Sequence, residues 1–573
     1  MSDIDNTTNN GAAKGYEHKE KDRGEVVVGA PPAYDAEKGH DHTVVLAEDA
    51  DERPDGAVHR TLQQRHLAMI AIGGAIGTGL FIGSGGALAS AGSVGVWLAY
   101  ALMAGMVWTM MIALGEMATT YPVTGNFVTY AARFVDESLG FALGINYWYS
   151  YAITCPTEIV AAQILISYWD KHTPAAAYIT VMLVLVWALN LWGTRAYGEA
   201  EFWFSSLKVL TIVGLIICGI VIMAGGGPEG HALGFHYWRT IPFQQISIEG
   251  GDAVIGGSWG RFLAFWSAFV QAAFSFLGTE IIATTVGEAA NARSSVKKAI
   301  KRVYMRLLFF YVIGILIMSN IVSPNDPDLL NGSGTATASP WVIAIQQAGI
   351  KTLPSIANAC FLLSAWSAGN ADVYASSRTL YGMAKLGFMP KLFARCTKKG
   401  LPWVSVITTC CLGVLAYMNT GGEGAVTAFN WLYSISSITG IITWWTILLS
   451  YIRFYHGMKK QGLSRDDLPY KAPWQPWLSY IGFAFFSVII FFNGFTVFLR
   501  GNWNTSTFFA AYITIPIFVI AYVGWKVVKR THIIPLAEID FLSGRRELDE
   551  MQARDQVKYK PESTWQKIIG TLF

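Results

Sequence analysis

Two Gly-Thr pairs stand in stretches otherwise apolar enough to sit in lipid: Gly77-Thr78 within AIGGAIGTGLFIG (71–83) and Gly278-Thr279 within QAAFSFLGTEIIATTVGE (271–288). Glycine costs a helix interior about 1 kcal/mol relative to alanine, so Gly73, Gly74, Gly77, Gly79 and Gly83 together argue against a continuous helix. In lipid a broken helix is tolerated only where the unwound backbone is buried in protein or lines a cavity. Close packing through small residues accounts for Gly73 and Gly77 at their four-residue spacing, but it does not require the polar Thr78. Where the first stretch resumes, the N–H groups of Thr78 and Gly79 form the positive end of a helix, which suits a carboxylate. Glycine there lets a ligand approach the backbone. At the second interruption, freed carbonyls around Phe274 to Leu277 can accept hydrogen bonds from an ammonium. One acid-binding end facing one amine-binding end describes an α-amino acid.

Ionisable and polar side chains add to this constellation, because a charge at membrane depth is expensive and marks a functional site. Ser275 and Glu280 lie beside the second interruption. Glu158 follows Pro156-Thr157 about halfway along the third apolar stretch, where proton binding, substrate binding and structural pairing are all open to it. Lys208 is roughly six residues into the fifth stretch, about 9 Å at helical rise, and its stem can reach the interface from there. Asn370 and Asp372 either line the same pocket or sit at a helix contact, and Ser434 and Ser436 are candidates for the substrate's side chain. Glu116 and Glu288 lie near the ends of their stretches beside basic loops and read as ion pairs that hold a gate.

The elements that must position these residues are helices in a membrane. The chain has 573 residues, 53% hydrophobic and 14% charged, against about a quarter charged in a soluble protein. Its net charge of +3 says little about partners, since in membrane proteins placement matters more than the total. Cys155, Cys218, Cys360, Cys396, Cys410 and Cys411 show neither metal-ligand spacing nor a secreted disulfide framework. No histidine or carboxylate cluster suggests a metal, and no nucleophile is set up for catalysis, so an enzyme is not expected. Residues 1–60 are polar and mixed in charge, which predicts a disordered tail rather than a signal peptide.

Apolar segments long enough for a bilayer occur near 67–89, 94–119, 139–168, 175–194, 202–224, 262–286, 305–323, 354–384, 404–419, 427–452, 478–499 and 507–528, which predicts twelve transmembrane helices. Lys and Arg crowd the link after the sixth (Arg293 to Arg306), the eighth (Lys385 to Lys399) and the tenth (Arg453 to Lys471), while alternate links are nearly bare. Such loops face the cytoplasm, so both termini do as well. The links 225–260 and 324–353 then face outward, with a glycosylation sequon at Asn331-Gly332-Ser333. The two interrupted segments are the first and sixth. Five spans separate them, and an odd number inverts the second copy relative to the first, the plan of many secondary transporters. The fold class expected is an all-α integral membrane protein: a 5+5 inverted repeat (67–224 and 262–452) with discontinuous helices 1 and 6, two extra helices (478–528), and a cytoplasmic tail over 531–573.

The stretches GGAIGTGLFIGSG (73–85), ALGEMATTYPVTGNFVTYAARFVD (113–136), NYWYSYAIT (146–154), FSFLGTEIIATTVGEAANARSSVKKAI (274–300) and GNADVYASSRTLYGMAK (369–385) resemble fungal amino-acid permeases of the amino acid-polyamine-organocation superfamily, the proline-permease-like members above all. The resemblance runs from about residue 60 to about 530 and implies proton symport across the plasma membrane, with the vacuolar membrane the lesser alternative. It implies no cofactor beyond the proton as coupling ion. It places the substrate carboxylate on the amides of Gly77, Thr78 and Gly79, and the amine on the carbonyls of Ala75, Phe274 and Leu277. It makes Phe274 an aromatic gate, Glu280 a gating or proton-responsive carboxylate, Lys208 the replacement for a sodium ion near the first break, and Trp366 a selectivity element. Tail lysines such as Lys14, Lys19 and Lys21 become acceptors for ubiquitin ligase machinery. The partners expected are an amino acid and membrane lipid, with no nucleic acid. The substrate expected is neutral, proline first; a broad-range or basic amino-acid permease, a polyamine or choline carrier and a transport-inactive amino-acid sensor are the alternatives.

Overall fold

The computed structural model describes residues 69–70, 73–74, 76–122, 125–228, 230–251, 253–284, 308–330, 339–420 and 424–543. The expected N-terminal tail with its lysines, Ala75, Glu288, the basic cluster 293–306, the sequon at Asn331 and the chain beyond 543 lie outside the described residues.

Helices make almost all of it: α1 (Ser84–Ala91), α2 (Ser93–Thr120), α3 (Asn126–Phe134), α4 (Glu137–Ile166), α5 (Ala175–Trp192), α6 (Thr194–Met223), α7 (Gly257–Phe276), α8 (Gly314–Ile321), α9 (Pro340–Gln347), α10 (Leu353–Lys385), α11 (Trp403–Leu412), α12 (Gly424–Lys460), α13 (Trp477–Phe492), α14 (Thr505–Tyr512) and α15 (Thr514–Lys529). Two short antiparallel strands, Ser247–Ile248 and Ala253–Val254, form a small hairpin before α7. Among the described residues five helices are long and apolar enough to cross a membrane, or six when α14 and α15, bent by 43° at Ile513, count as one. Shorter apolar helices at Gly79–Ala91, Leu308–Ile321, Trp403–Met418 and Trp477–Phe492 occupy the predicted first, seventh, ninth and eleventh positions. Length and apolarity by themselves therefore give five or six crossings rather than twelve.

Four of the remaining segments are too short, and the other two, α4 and α10, differ in what they bury. They are 30 and 33 residues long but less apolar, because they carry Asn146, Ser150, Thr157 and Glu158 on one and Ser367, Asn370, Asp372 and Ser376 on the other, all buried. These two helices pack on each other more extensively than any other pair, and α4 packs also against α3, α12 and α15. The helices with lipid-like surfaces lie outside them: α5 exposes Val181, Val184 and Leu185, and α6 exposes Leu210, Ile217 and Ile220. An apolar exterior around a polar centre is the distribution expected where the solvent is hydrocarbon.

One end of the bundle is tied by polar contacts. Glu116 at the end of α2 is fully buried and accepts from Arg465 Nε at 2.7 Å and Nη2 at 2.6 Å, from the Tyr451 hydroxyl at 2.9 Å and from the Ala472 N–H at 2.7 Å. After α15 the chain crosses the same end: Ile534 N–H reaches the Val135 carbonyl at 3.0 Å, Arg133 donates to the Asp540 and Ser543 carbonyls, and buried Phe541 packs on Phe134 and Phe454.

Candidate functional site

The glycine-rich first segment is helical at Gly73 and Gly74, bends at Ile76 and Gly77, and resumes as a π-helical turn over Gly79–Gly83 that runs into α1. The sixth is interrupted sharply. Helix α7 stops at Phe276, Leu277 is extended (φ −57°, ψ 146°), Gly278 has φ +93°, and a helical turn restarts at Ile281–Thr284. A φ of that value is open to glycine and strained for other residues, which gives Gly278 a conformational reason for its place. Each interruption leaves backbone donors and acceptors without intrahelical partners.

The two interruptions touch. A Cβ built on Gly79 would lie 2.7 Å from Ser275 Cα and 2.8 Å from Ser275 Oγ, and one on Gly74 would lie 2.9 Å from Ile281 Cδ1. Between them is a cavity of about 20 Å³. The broken segments give it Gly74, Gly77, Gly79, Phe274, Ser275 and Leu277; α4 gives Thr154 and Glu158, and α10 gives Ala368 and Asp372. That volume suits about one water molecule, so a solute the size of an amino acid requires the walls to part. A pair of rings closes one side: Phe274 packs on Tyr433 of α12 with centroids 4.1 Å apart, and the Tyr433 hydroxyl donates to the Gln271 carbonyl at 3.1 Å. Tyr433 and Gln271 also line a second cavity of about 920 Å³ rich in amides and hydroxyls, among them Asn325, Asn430, Ser434 and Asn493. The tilted ring pair joins the two, Phe274 lining the narrow cavity and Tyr433 the wide one.

Buried polar contacts hold the broken segments in place. Thr78 donates to Glu158 Oε1 at 3.0 Å, which ties the resuming first segment to α4. Lys208 on α6 donates to the Gly73 carbonyl at 2.5 Å, just before the first break, and stands 3.9 Å from Glu201 Oε1. Glu201 accepts in turn from Ser205 at 3.1 Å and Ser367 at 3.0 Å. Glu280 faces three donors, the Tyr151 hydroxyl at 2.5 Å, the Trp444 indole at 3.0 Å and Thr279 at 3.2 Å. Ser275 shares a hydrogen bond of 2.9 Å with Tyr100.

The remaining sequence candidates stand elsewhere. The Trp366 indole donates to the Met182 carbonyl at 3.1 Å and meets Phe204 edge-on, away from the residues lining the narrow cavity. Asn370 accepts from Asn190 at 2.7 Å, a contact between α10 and α5. Ser436 is buried with its hydroxyl unbonded among the described residues, and Ser434 lines the wide cavity. Thr154, Ala368, Glu201 and Tyr433 are among the residues of the site that escape the sequence reading. Glu201 falls one position before the apolar stretch that begins at 202 and so reads as a loop residue. Thr154 and Tyr433 gain their places only by the packing of distant helices.

The Amino acid permease family model matches residues 66–536. The chain is 39% identical to the proline-specific permease of Emericella nidulans over 90% of this chain and 94% of that one. It is equally 39% identical to the lysine-specific permease of Saccharomyces cerevisiae (93% and 86% covered) and to that yeast's dicarboxylic amino acid permease (91% and 88%). Among solved structures it is similar to Mhp1, a nucleobase-cation-symport-1 family transporter, at 15% identity and a TM-score of 0.44 over 87% of this chain and 99% of that one.

Proposed function

This chain belongs to the amino acid permease family, and on that premise we propose that it is a proton-coupled symporter that imports an amino acid by alternating access. The observation that carries the reading is the contact of two interrupted helices around a cavity walled by α4 and α10. The substrate carboxylate meets the amides of Gly77, Thr78 and Gly79, and its amine meets the carbonyls of Phe274 and Leu277, with Ala75 as a further acceptor. The Phe274–Tyr433 pair opens to admit it from the wide cavity. Glu158, Glu280 or the Lys208 amine is the group through which the proton is read.

The twelve-span topology with an inverted repeat belongs to this reading. Its support is that α4 and α10, the third and eighth segments and so equivalent members of two five-helix repeats, form the most extensive contact in the molecule. Both termini lie in the cytoplasm, the protein sits in the plasma membrane, and the tails receive the ubiquitin ligase machinery. Proline is the first substrate to try; the second is a basic amino acid, because the cavity wall carries two acids.

The test is uptake of a panel of radiolabelled amino acids in a permease-deficient fungal cell, with external pH varied. Accumulation that rises with acidity outside and collapses with a protonophore is expected. Binding without accumulation turns the reading toward a sensor; competition by decarboxylated amines alone turns it toward a polyamine carrier.

A further inference from the structure

We propose that Asp372 determines substrate selectivity, and that with Glu158 it receives a positive charge on the substrate's side chain, so that the cavity is built for a cationic amino acid. This inference rests on the transport reading above and names its substrate class.

Both carboxyls line the narrow cavity, and both residues are 3% exposed. Glu158 Oε2 and Asp372 Oδ2 are buried with no hydrogen-bond partner among the described residues. Glu116, Glu201 and Glu280 differ in having donors on both carboxylate oxygens, whereas Glu158 has the Thr78 hydroxyl on Oε1. A buried carboxylate oxygen with no donor is among the least favourable groups in a protein unless a cation or a proton joins it. Here two such oxygens belong to residues that line one space from two helices.

The charges around that space leave an excess to be met. Lys208 from α6 stands beside the first break, and its ammonium is engaged by the Gly73 carbonyl and faces Glu201. No ion pair among the described residues joins that ammonium to Glu158 or Asp372. The zwitterion's own ends are met by the two interrupted helices, which leaves the acid pair for a third charge. Only small groups stand beside the two acids, Ala368 one turn before Asp372 on the same face of α10 and Gly77 against Glu158 without a side chain, so the space they line widens when the walls part.

Arginine and its neutral isostere citrulline separate charge from shape. In permease-deficient cells expressing the full chain, arginine is expected to be taken up with a KM about tenfold or more below that of citrulline, the size of a charge-assisted hydrogen bond. Asp372→Asn brings the arginine-to-citrulline ratio toward one, and Asp372→Glu preserves it. Purified wild-type protein supplies a readout independent of any variant: arginine raises its unfolding temperature more than citrulline does. Uptake of proline or citrulline without uptake of, or competition by, arginine overturns the inference while leaving the transport reading intact. Equal loss of every substrate in Asp372→Asn, with the ratio unchanged, also overturns it. Surface-localised protein that neither transports nor is stabilised by any amino acid removes both.

Discussion

At the scale of single residues, the chemistry turns on small groups set beside buried charge. Thr78 supplies the described donor on Glu158, and losing one partner of a buried charged hydrogen bond costs about 1.5–3 kcal/mol. Thr78→Val is therefore expected to raise the KM of the transported amino acid about tenfold or more, with surface expression preserved; an unchanged KM in whole-cell uptake removes Thr78 from the site. Gly79→Ala is expected to be harsher. Its methyl group would stand 2.7 Å from a backbone carbon of the sixth segment, which cannot swing aside as a side chain can. Protein at the cell surface with transport near zero is the expected result. Wild-type transport would mean that the two breaks do not touch in the working protein.

At the scale of elements, interruptions and ties do the positioning. Gly278 holds φ +93° at the sixth-segment break, so Gly278→Ala forces a left-handed residue at about 1–2 kcal/mol. Thermal unfolding in detergent measures it, and an unshifted transition shows that the turn relaxes. The tie at Glu116 carries more. Arg465→Ala leaves a fully buried carboxylate without its bidentate partner, and breaking such a pair costs about 3–5 kcal/mol. Glu116→Gln in the same chain should recover part of that loss, since the buried charge goes with it. The start of α4 is tied by Asp136, which accepts from the Ser138 N–H at 3.1 Å and from Lys526 at 2.5 Å. Burial pushes the Asp136 carboxyl up, but Lys526 and the Ser138 N–H outweigh it and hold it below the ordinary value. A carboxyl lowered by folding stabilises above its unfolded pKa of about 3.9 and loses that contribution as pH falls through the folded value. Unfolding followed from neutral pH downward should thus show wild type and Asp136→Asn converging only in that acid range.

At the scale of the whole molecule, the question is which ends face which side. Positive charge is concentrated in alternate links, and Asp467, in the link between α12 and α13, is exposed. In a cysteine-free background, Asp467→Cys is expected to react with a membrane-impermeant thiol reagent only after the cells are permeabilised, whereas His231→Cys, exposed in the 225–260 link, reacts in intact cells. The opposite pattern inverts the topology.

The sequence by itself determined the solvent, the interruptions and the family. Glycine density at 73–83, a carboxylate beside Gly278-Thr279 and apolar runs of bilayer length are local properties, and local properties are written in order along the chain. The twelve crossings expected from hydropathy reduce to five or six by length and apolarity in the structure, partly because α4 and α10 pack on one another, so their polarity reports burial in protein. Only the tertiary structure decided what stands around the cavity. Glu158 and Asp372 are more than two hundred residues apart, Lys208 meets Gly73 across 135, and Tyr433 meets Phe274 across the packing of α12 on α7. It also set Trp366 against Met182 rather than in the cavity wall. Which side chain faces a shared space depends on the relative rotation of packed helices, and no spacing within one helix encodes its angle to another.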